Sequence, residues 1–259
     1  MREAAGELSP PAAEHVRSTR GITLTEPGRL LVEAAETISA ELDHVRHEID
    51  RITAERPRLT VATFVSGGRR LLPRALARFV AAHPEVELTV LEAEPEEAVP
   101  MVRAGAADLA LTYHFDGPLP LRPQEALDWL PLLDDPLSLV LPPGHRLAGR
   151  ESAALAELAS DRWVLGCLKT EAYLRRYAER AGFDLRVAAS TTDYFFAGSL
   201  VAAGVGVALI PQVSLPPAGT ADVTVVRVDP PRPARHIGVL TPRRRPHPYA
   251  PALTRALTE

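Results

Sequence analysis

The sequence predicts an α/β protein in which a long N-terminal helix leads into two lobes joined by a pair of crossing strands. Three observations carry that prediction. First, Leu31, Ala35, Ile38, Leu42, Val45, Ile49 and Ile52 recur at spacings that alternate strictly between four and three, which places them on one narrow stripe of a helix. Second, from residue 59 onward short apolar runs of strand length alternate with amphipathic segments, the pattern of βαβ units on a parallel sheet. Third, two apolar runs, 137–141 and 237–240, each close one such cycle. Strands there would cross between lobes twice and bring the last helix back to the first lobe.

Each element has a local cause. Gly21 supplies a tight turn, and Ile22 and Leu24 alternate with threonines as a short strand. Thr25 is a good N-cap, and Pro27 falls in the first helical turn, where its missing N–H costs nothing. Pro57 ends the helix near residue 55. Residues 59–64 read as a strand, Ser66-Gly67-Gly68 as a turn, and 69–82 as a helix stopped by His83-Pro84. Val86, Leu88 and Val90 alternate with polar neighbours as a strand. A helix over 95–104 contains Pro100 and stops at Gly105, and 109–112 is a buried strand. After 137–141, Pro142-Pro143-Gly144 is the strongest internal breaker. A second cycle follows: helix 153–159, strand 163–165, helix 170–181, strand 185–189, helix 194–203, strand 207–210, then strands 223–228 and 237–240 and a helix over 248–257. The expected domains are 1–24, a linker helix 25–56, a first lobe 57–141 to which 241–259 returns, and a second lobe 142–240.

Composition narrows the function classes. The chain has 259 residues, 46% of them hydrophobic, enough for a sizeable core, and no apolar run long enough to span a bilayer. The first twenty residues lack the apolar centre of a signal peptide, and Cys167 is the only cysteine, so a reducing, cytoplasmic location is expected, with no intrachain disulfide. Net charge is −4, and residues 1–57 carry all of it, with seven arginines against eleven carboxylates. A free-standing nucleic-acid binder presents a basic face instead. No nucleophile elbow, phosphate loop or paired Cys/His cluster is present, so no catalytic residue, metal or cofactor is expected and the chain is read as a non-enzyme. Glu94, Glu96 and Glu97 read as charges complementing a helix start.

Some residues carry binding chemistry. Ser66, Gly67 and Gly68 stand between a strand and a helix N-terminus, where free N–H groups attract an anion and glycines let it approach; the alternative is an ordinary small-residue turn. Cys167 precedes a helix, which lowers a thiol's pKa, but no second cysteine resolves a sulfenic acid, and an inert cleft or core position is the better reading. His44 and His47 lie off the apolar seam and read as a solvated face. Arg243-Arg244-Arg245 reads as an exposed loop, with a nucleic-acid patch as the lesser alternative. The seam calls for a second copy of the chain.

The run Arg20-Gly21-Ile22-Thr23-Leu24-Thr25-Glu26-Pro27-Gly28 resembles the wing-to-linker junction of LysR-type transcriptional regulators. Leu72-Pro73 with Phe79 and His83-Pro84-Glu85-Val86 resembles the start of that family's effector domain. So do Arg103-Ala104-Gly105 with Asp108-Leu109-Ala110-Leu111, and Leu139-Val140-Leu141-Pro142 with Gly144-His145-Arg146-Leu147. The strongest likeness is Val201-Ala202-Ala203-Gly204-Val205-Gly206-Val207-Ala208-Leu209-Ile210-Pro211. The resemblance runs from about residue 17 to the end. It implies a periplasmic-binding-protein-like effector domain behind a dimerising linker helix, and a small-molecule effector, an organic acid or other anion. Ser66, Gly67, Gly68, Thr191, Thr192 and Cys167 would line the effector site, Asp193 less so because its charge disfavours an anion. Arg17 and Arg20 would lie beside the DNA backbone, as the wing does.

The sequence departs from the family ahead of the wing, where a three-helix DNA-binding unit needs about 40 residues. Only twenty-odd precede Thr25, broken by Pro10-Pro11. The expectation is a wing remnant with weak or lost DNA binding, because base readout needs an element in the major groove. Such a chain would form homodimers or homotetramers, or pair with a full-length relative. The rival reading is a stand-alone cytoplasmic solute-binding protein.

Overall fold

The computed structural model describes residues 15–18, 21–117, 119–121, 126–167, 170–217 and 222–259. Strands β1 (His15–Ser18) and β2 (Gly21–Leu24) form an antiparallel hairpin with Ser18 opposite Gly21. Arg20 and the side chain of Arg17 lie outside the described residues. Helix α1 (Glu26–Thr53) follows, about 42 Å long at 1.5 Å per residue. The Thr25 hydroxyl caps it by accepting from the Gly28 N–H at 3.2 Å.

Strand β3 (Arg58–Thr63) leads into two helices, α2 (Val65–Arg70) and α3 (Leu72–Ala82). The expected turn at Ser66-Gly67-Gly68 is thus inside a short helix, and the break comes at Leu71. Strand β4 (Glu87–Glu92), helix α4 (Pro95–Arg103) and strand β5 (Leu109–Phe115) complete the first βαβ cycle. β3 lies between β4 and β5 and is parallel to both.

Strand β6 (Leu127–Leu141) is much longer than the apolar run that announced it. Residues 127–136 interrupt their apolar side chains with Asp128, Asp134 and Asp135 and include Pro131 and Pro136, which hides the strand from a reading based on apolar runs. Beyond it come β7 (Ser152–Ala153), β8 (Arg162–Leu165), helix α5 (Glu171–Arg180), β9 (Arg186–Ser190), helix α6 (Tyr194–Ala202), β10 (Ala208–Pro211) and β11 (Thr224–Val228). The predicted helix over 153–159 is only a strand end and a 3₁₀ turn, Leu155–Leu158. β12 (Ala234–Pro242) and α7 (Ala250–Thr258) close the chain.

An eight-stranded mixed sheet runs in the order β4-β3-β5-β12-β6-β11-β7, with β10 also on β6; β8 and β9 form a separate parallel pair. The crossing strands β6 and β12 are antiparallel neighbours at its centre. Leu137, Leu139 and Leu141 pack in one core with Trp163, Tyr173 and Val228. Ile237 and Val239 pack in another with Leu59, Leu111 and Leu253 of α7. The last helix therefore rests on the first-cycle core, against α3.

Helix α1 is docked on its own chain by the face opposite the seam. Ala40 is buried, and the His47 Nδ1–H is shared between the carbonyls of Asp43 (2.8 Å) and Ala104 (3.0 Å). The face carrying His44 and His47 is accordingly not simply solvated. Gly105 makes the approach possible. Its φ is +74°, and a Cβ there would stand 2.9 Å from the His44 ring. The seam itself points to solvent, from Val45 at 46% exposed to Ile52 at 73%.

Candidate functional site

The site is organised around one buried cation on a crossing strand. Arg235 of β12 stands directly opposite Asp135 of β6 in the antiparallel register. Arg235 is 1% exposed and Asp135 is fully buried. The guanidinium donates to Asp135 Oδ2 from Nε (3.0 Å) and Nη2 (2.6 Å), and from Nη2 to the Ser66 hydroxyl at 3.2 Å. The other carboxylate oxygen accepts from the Val213 N–H at 2.9 Å. Three rings surround the cation, Tyr113 at 4.7 Å, Phe64 at 5.2 Å and Tyr194 at 5.6 Å, as cation–π attraction favours. Burial works against the charge, but Asp135 outweighs it and holds the guanidinium pKa above its ordinary value.

This network bridges the two cores. Ser66, Phe64 and Tyr113 come from the first-cycle elements α2, β3–α2 and β5, and Tyr194 begins α6 in the second. Between them lies a narrow cleft lined by Ser66, Glu94, Cys167, Thr192, Asp193 and Arg235. Its free volume is about 10 Å³, room for no more than one water. Glu94 accepts from the Tyr113 hydroxyl at 2.8 Å. Burial first, and Glu94 next, push the Tyr113 phenol far above its usual range.

The residues singled out from sequence divide. Ser66, Cys167 and Thr192 face the cleft together. Gly67 and Gly68 serve packing: a Cβ at Gly67 would stand 2.8 Å from the Phe64 ring, and one at Gly68 2.9 Å from the Thr63 methyl. Thr191 is buried. Its hydroxyl is within 3.2 Å of the Leu165 carbonyl and 2.9 Å of the Asp193 carbonyl, and accepts from the Asp193 N–H at 3.3 Å, so it shapes the entry to α6. Asp193 caps α6 through the Phe195 N–H at 2.8 Å. Cys167 is buried. Sequence reading missed Arg235, Asp135, Tyr113 and Tyr194, and took Glu94 as a helix-start charge. A signal did exist: Asp135 and Arg235 each lie two residues ahead of the apolar runs that marked the crossing strands.

A second, wider recess opens on the far side of Tyr194, about 400 Å³ in volume. Arg69 and Arg70 of α2 border it, with Phe195 stacked 3.9 Å from the Arg69 guanidinium and Asp222 opposite.

Two α/β cores joined by paired crossing strands, with a polar cleft at the crossing, define an effector-domain fold. Residues 53–259 match the LysR substrate binding domain family, and the chain belongs to it. It is 27% identical over 212 residues to a hydrogen peroxide-inducible genes activator of Pectobacterium carotovorum subsp. carotovorum, covering 77% of this chain and 65% of that protein. Among solved structures, the C-terminal domain of a probable LysR family transcriptional regulator from Rhodococcus sp. RHA1 superposes with a TM-score of 0.67 at 24% identity, covering 78% of this chain and 98% of that one. The effector binding domain of QuiR in complex with shikimate superposes at 0.65 with 15% identity, covering 79% and 96%. The chain therefore spans about two thirds of the length of that activator.

Proposed function

We propose that the chain is the effector-sensing and self-pairing part of a LysR-type transcriptional regulator, working in the cytoplasm as a non-enzyme. A small molecule enters between the lobes at Ser66, Thr192 and Cys167, and the lobes rotate about the β6–β12 crossing. Arg235 is the observation that carries this reading, since one guanidinium on a crossing strand reaches a hydroxyl of one lobe and a ring of the other. The lobe boundaries then fall at 136/137 and 233/234, where the two cores part. DNA contact is assigned to the hairpin side with Arg17 and Arg20. Pairing through Leu31, Ala35, Ile38, Leu42, Val45, Ile49 and Ile52 gives a dimer, a tetramer or a mixed oligomer with a relative. Among the described residues, no helix is long and apolar enough to cross a membrane.

The charge balance of the cleft refines the effector class. Arg235 and Asp135 cancel, and Glu94 and Asp193 leave the cleft negative. An organic acid is repelled there, whereas a neutral or amine-bearing compound is accepted. The recess at Arg69 and Arg70 favours the opposite class, so an acidic effector belongs against Phe195 rather than in the cleft. A thermal-shift panel of amines, polyols and carboxylates tests both sites, because a ligand that prefers the folded state raises the midpoint. Stabilisation by an amine that Glu94→Gln removes supports the cleft. Stabilisation by a carboxylate that Arg69→Gln/Arg70→Gln removes moves the site to the recess. Midpoints that no compound raises sink the effector reading. Cys167 is the one cysteine of the sequence, and the small-molecule reading is preferred to the redox reading that the name of the Pectobacterium relative suggests.

A further inference from the structure

A recess of about 250 Å³ lies between α1 and the first-cycle core and shares no residue with the cleft. Its polar lining comes from both sides of that joint: Thr37, Glu41 and His44 from α1, Arg103 from the end of α4, and Arg244 and Arg245 from the loop after β12. Among the described residues, twelve arginines form an ion pair with a carboxylate. Arg51 pairs with Glu48, and Arg243, the first of the basic triplet, pairs with Asp128 at 2.8 Å and donates to the Leu127 carbonyl. The three in the recess do not. Among the described residues, Arg244 and Arg245 form no ion pair, and Arg103 Nε is buried without a hydrogen-bond partner. Arg245 is also held at φ +53°, in the left-handed region a side chain rarely adopts, so the loop has a defined shape. Three guanidiniums and one carboxylate, Glu41, line the recess and leave it positive. Guanidinium donors lining one recess match the oxygens of carboxylates and phosphates in paired geometry, and concave walls concentrate their field.

We propose that this recess binds a small multivalent anion, a di- or tricarboxylate or a phosphate compound, and that the anion clamps the α1 rod to the lobe. His44 and Thr37 belong to the rod and the arginines to the lobe, so an anion held among them bridges the two and sets the angle of the seam. The proposal rests on the docking of α1 and is independent of what the cleft binds.

Calorimetric titration of the full chain with pyrophosphate, at ionic strength held constant with NaCl, is the test. Saturable binding at one site per chain is expected. Arg103→Gln/Arg244→Gln weakens it at least tenfold, and Glu41→Gln strengthens it. Arg227→Gln, which removes one charge from an exposed pair with Glu151 as Arg244→Gln removes one from the recess, leaves it unchanged. Amides of residues 37–48 gain hydrogen-exchange protection with pyrophosphate. Should the double variant misfold, Arg244→Gln alone, in an exposed loop, still weakens binding about threefold. Absence of saturable binding overturns the site, as does equal binding by wild type and the arginine variants, or loss in Arg227→Gln to the same degree. A random DNA duplex that binds through Arg103 and Arg244 while pyrophosphate does not would replace it with a backbone contact.

Discussion

Replacing Leu42 by glutamate should break the pairing of the chain. Leu42 lies at the centre of the seam and is 58% exposed in the single chain. Fully burying a leucine contributes about 1.5–3 kcal/mol, so covering the exposed part contributes roughly 1–1.5 kcal/mol per protomer, or about 2–3 kcal/mol per dimer. At 1.4 kcal/mol per decade, Leu42→Ala should raise the dimer dissociation constant about 30- to 150-fold. Leu42→Glu adds the cost of desolvating two like charges facing each other and should leave a monomer at every practical concentration. Sedimentation equilibrium reads the constant directly, with circular dichroism confirming that the lobes remain folded. Glu36→Gln, exposed and off the seam, is the matched control and should sediment like wild type. Two outcomes refute the reasoning: a wild-type chain that stays monomeric at about 100 μM, or a Leu42→Glu chain that pairs as tightly as wild type. The first would mean that seven exposed apolar side chains on one stripe have no partner in a second copy. The second would put the interface elsewhere.

Three other outcomes follow from the same geometry. Gly105→Ala introduces both a strained positive φ and a clash with the His44 ring, and should cost about 1–3 kcal/mol by denaturant unfolding, with faster amide exchange along residues 40–51. Arg235→Met strands Asp135 without its cation and should cost about 3–5 kcal/mol, while Arg235→Met/Asp135→Leu should recover much of that loss; additive costs in the double-mutant cycle would show that the pair is not coupled. Burial pushes the His247 imidazole below 6.5 and the Asp108 carboxyl above 3.8. For His247 the unfolded chain binds the extra proton, so its contribution is complete above pH 6.5 and is lost as pH falls toward its folded pKa. Asp108 has the opposite sign, since the native state holds the extra proton and stability falls as pH rises above 3.8. Urea midpoints between pH 7.5 and 5 should therefore fall less in His247→Gln than in wild type; parallel curves would contradict the shift.

The elements were legible wherever apolar periodicity was uninterrupted. The α1 seam, the β3-β4-β5 cycle and the positive-φ stops at Gly105, Gly182 and Gly204 stand where periodicity and glycine placed them. The reading lost accuracy where side chains answer to distant partners. Residues 127–136 mix acidic, proline and apolar positions without a period, and only their pairing with β12 shows them to be strand. Gly67 and Gly68 looked like space for a ligand because glycine is silent about its surroundings; the Phe64 ring and the Thr63 methyl fill that space. The cleft was half legible. Ser66 was named from its place at a helix start and Thr192 from the family resemblance, but Arg235 and Asp135 are a hundred residues apart and join only through the register of two strands.

That register also explains how events in the cleft can reach the seam. Arg235 is on β12, and the same strand continues to Pro242, whose loop carries Arg244, Arg245 and His247 beneath α1. On the other side of the joint, α4 ends at Arg103 and Gly105, the contact for His44 and His47. Glu94, at the start of α4, is the cleft residue bonded to Tyr113. One route from cleft to rod therefore runs along β12 and the loop that follows it, and the other along α4. A ligand that draws Glu94 or Arg235 out of place moves the far end of that element, and the rod is held there by Ala40 and the face around His44 and His47. Of the seam residues only Val45 borders the joint, so the rod can tilt on the lobe with the rest of its pairing surface undisturbed. A coupling built this way predicts that weakening the joint, as Gly105→Ala does, leaves effector affinity and dimer affinity each nearly intact while abolishing the effect of one on the other; a Gly105→Ala chain whose dimer constant still responds to effector would refute it.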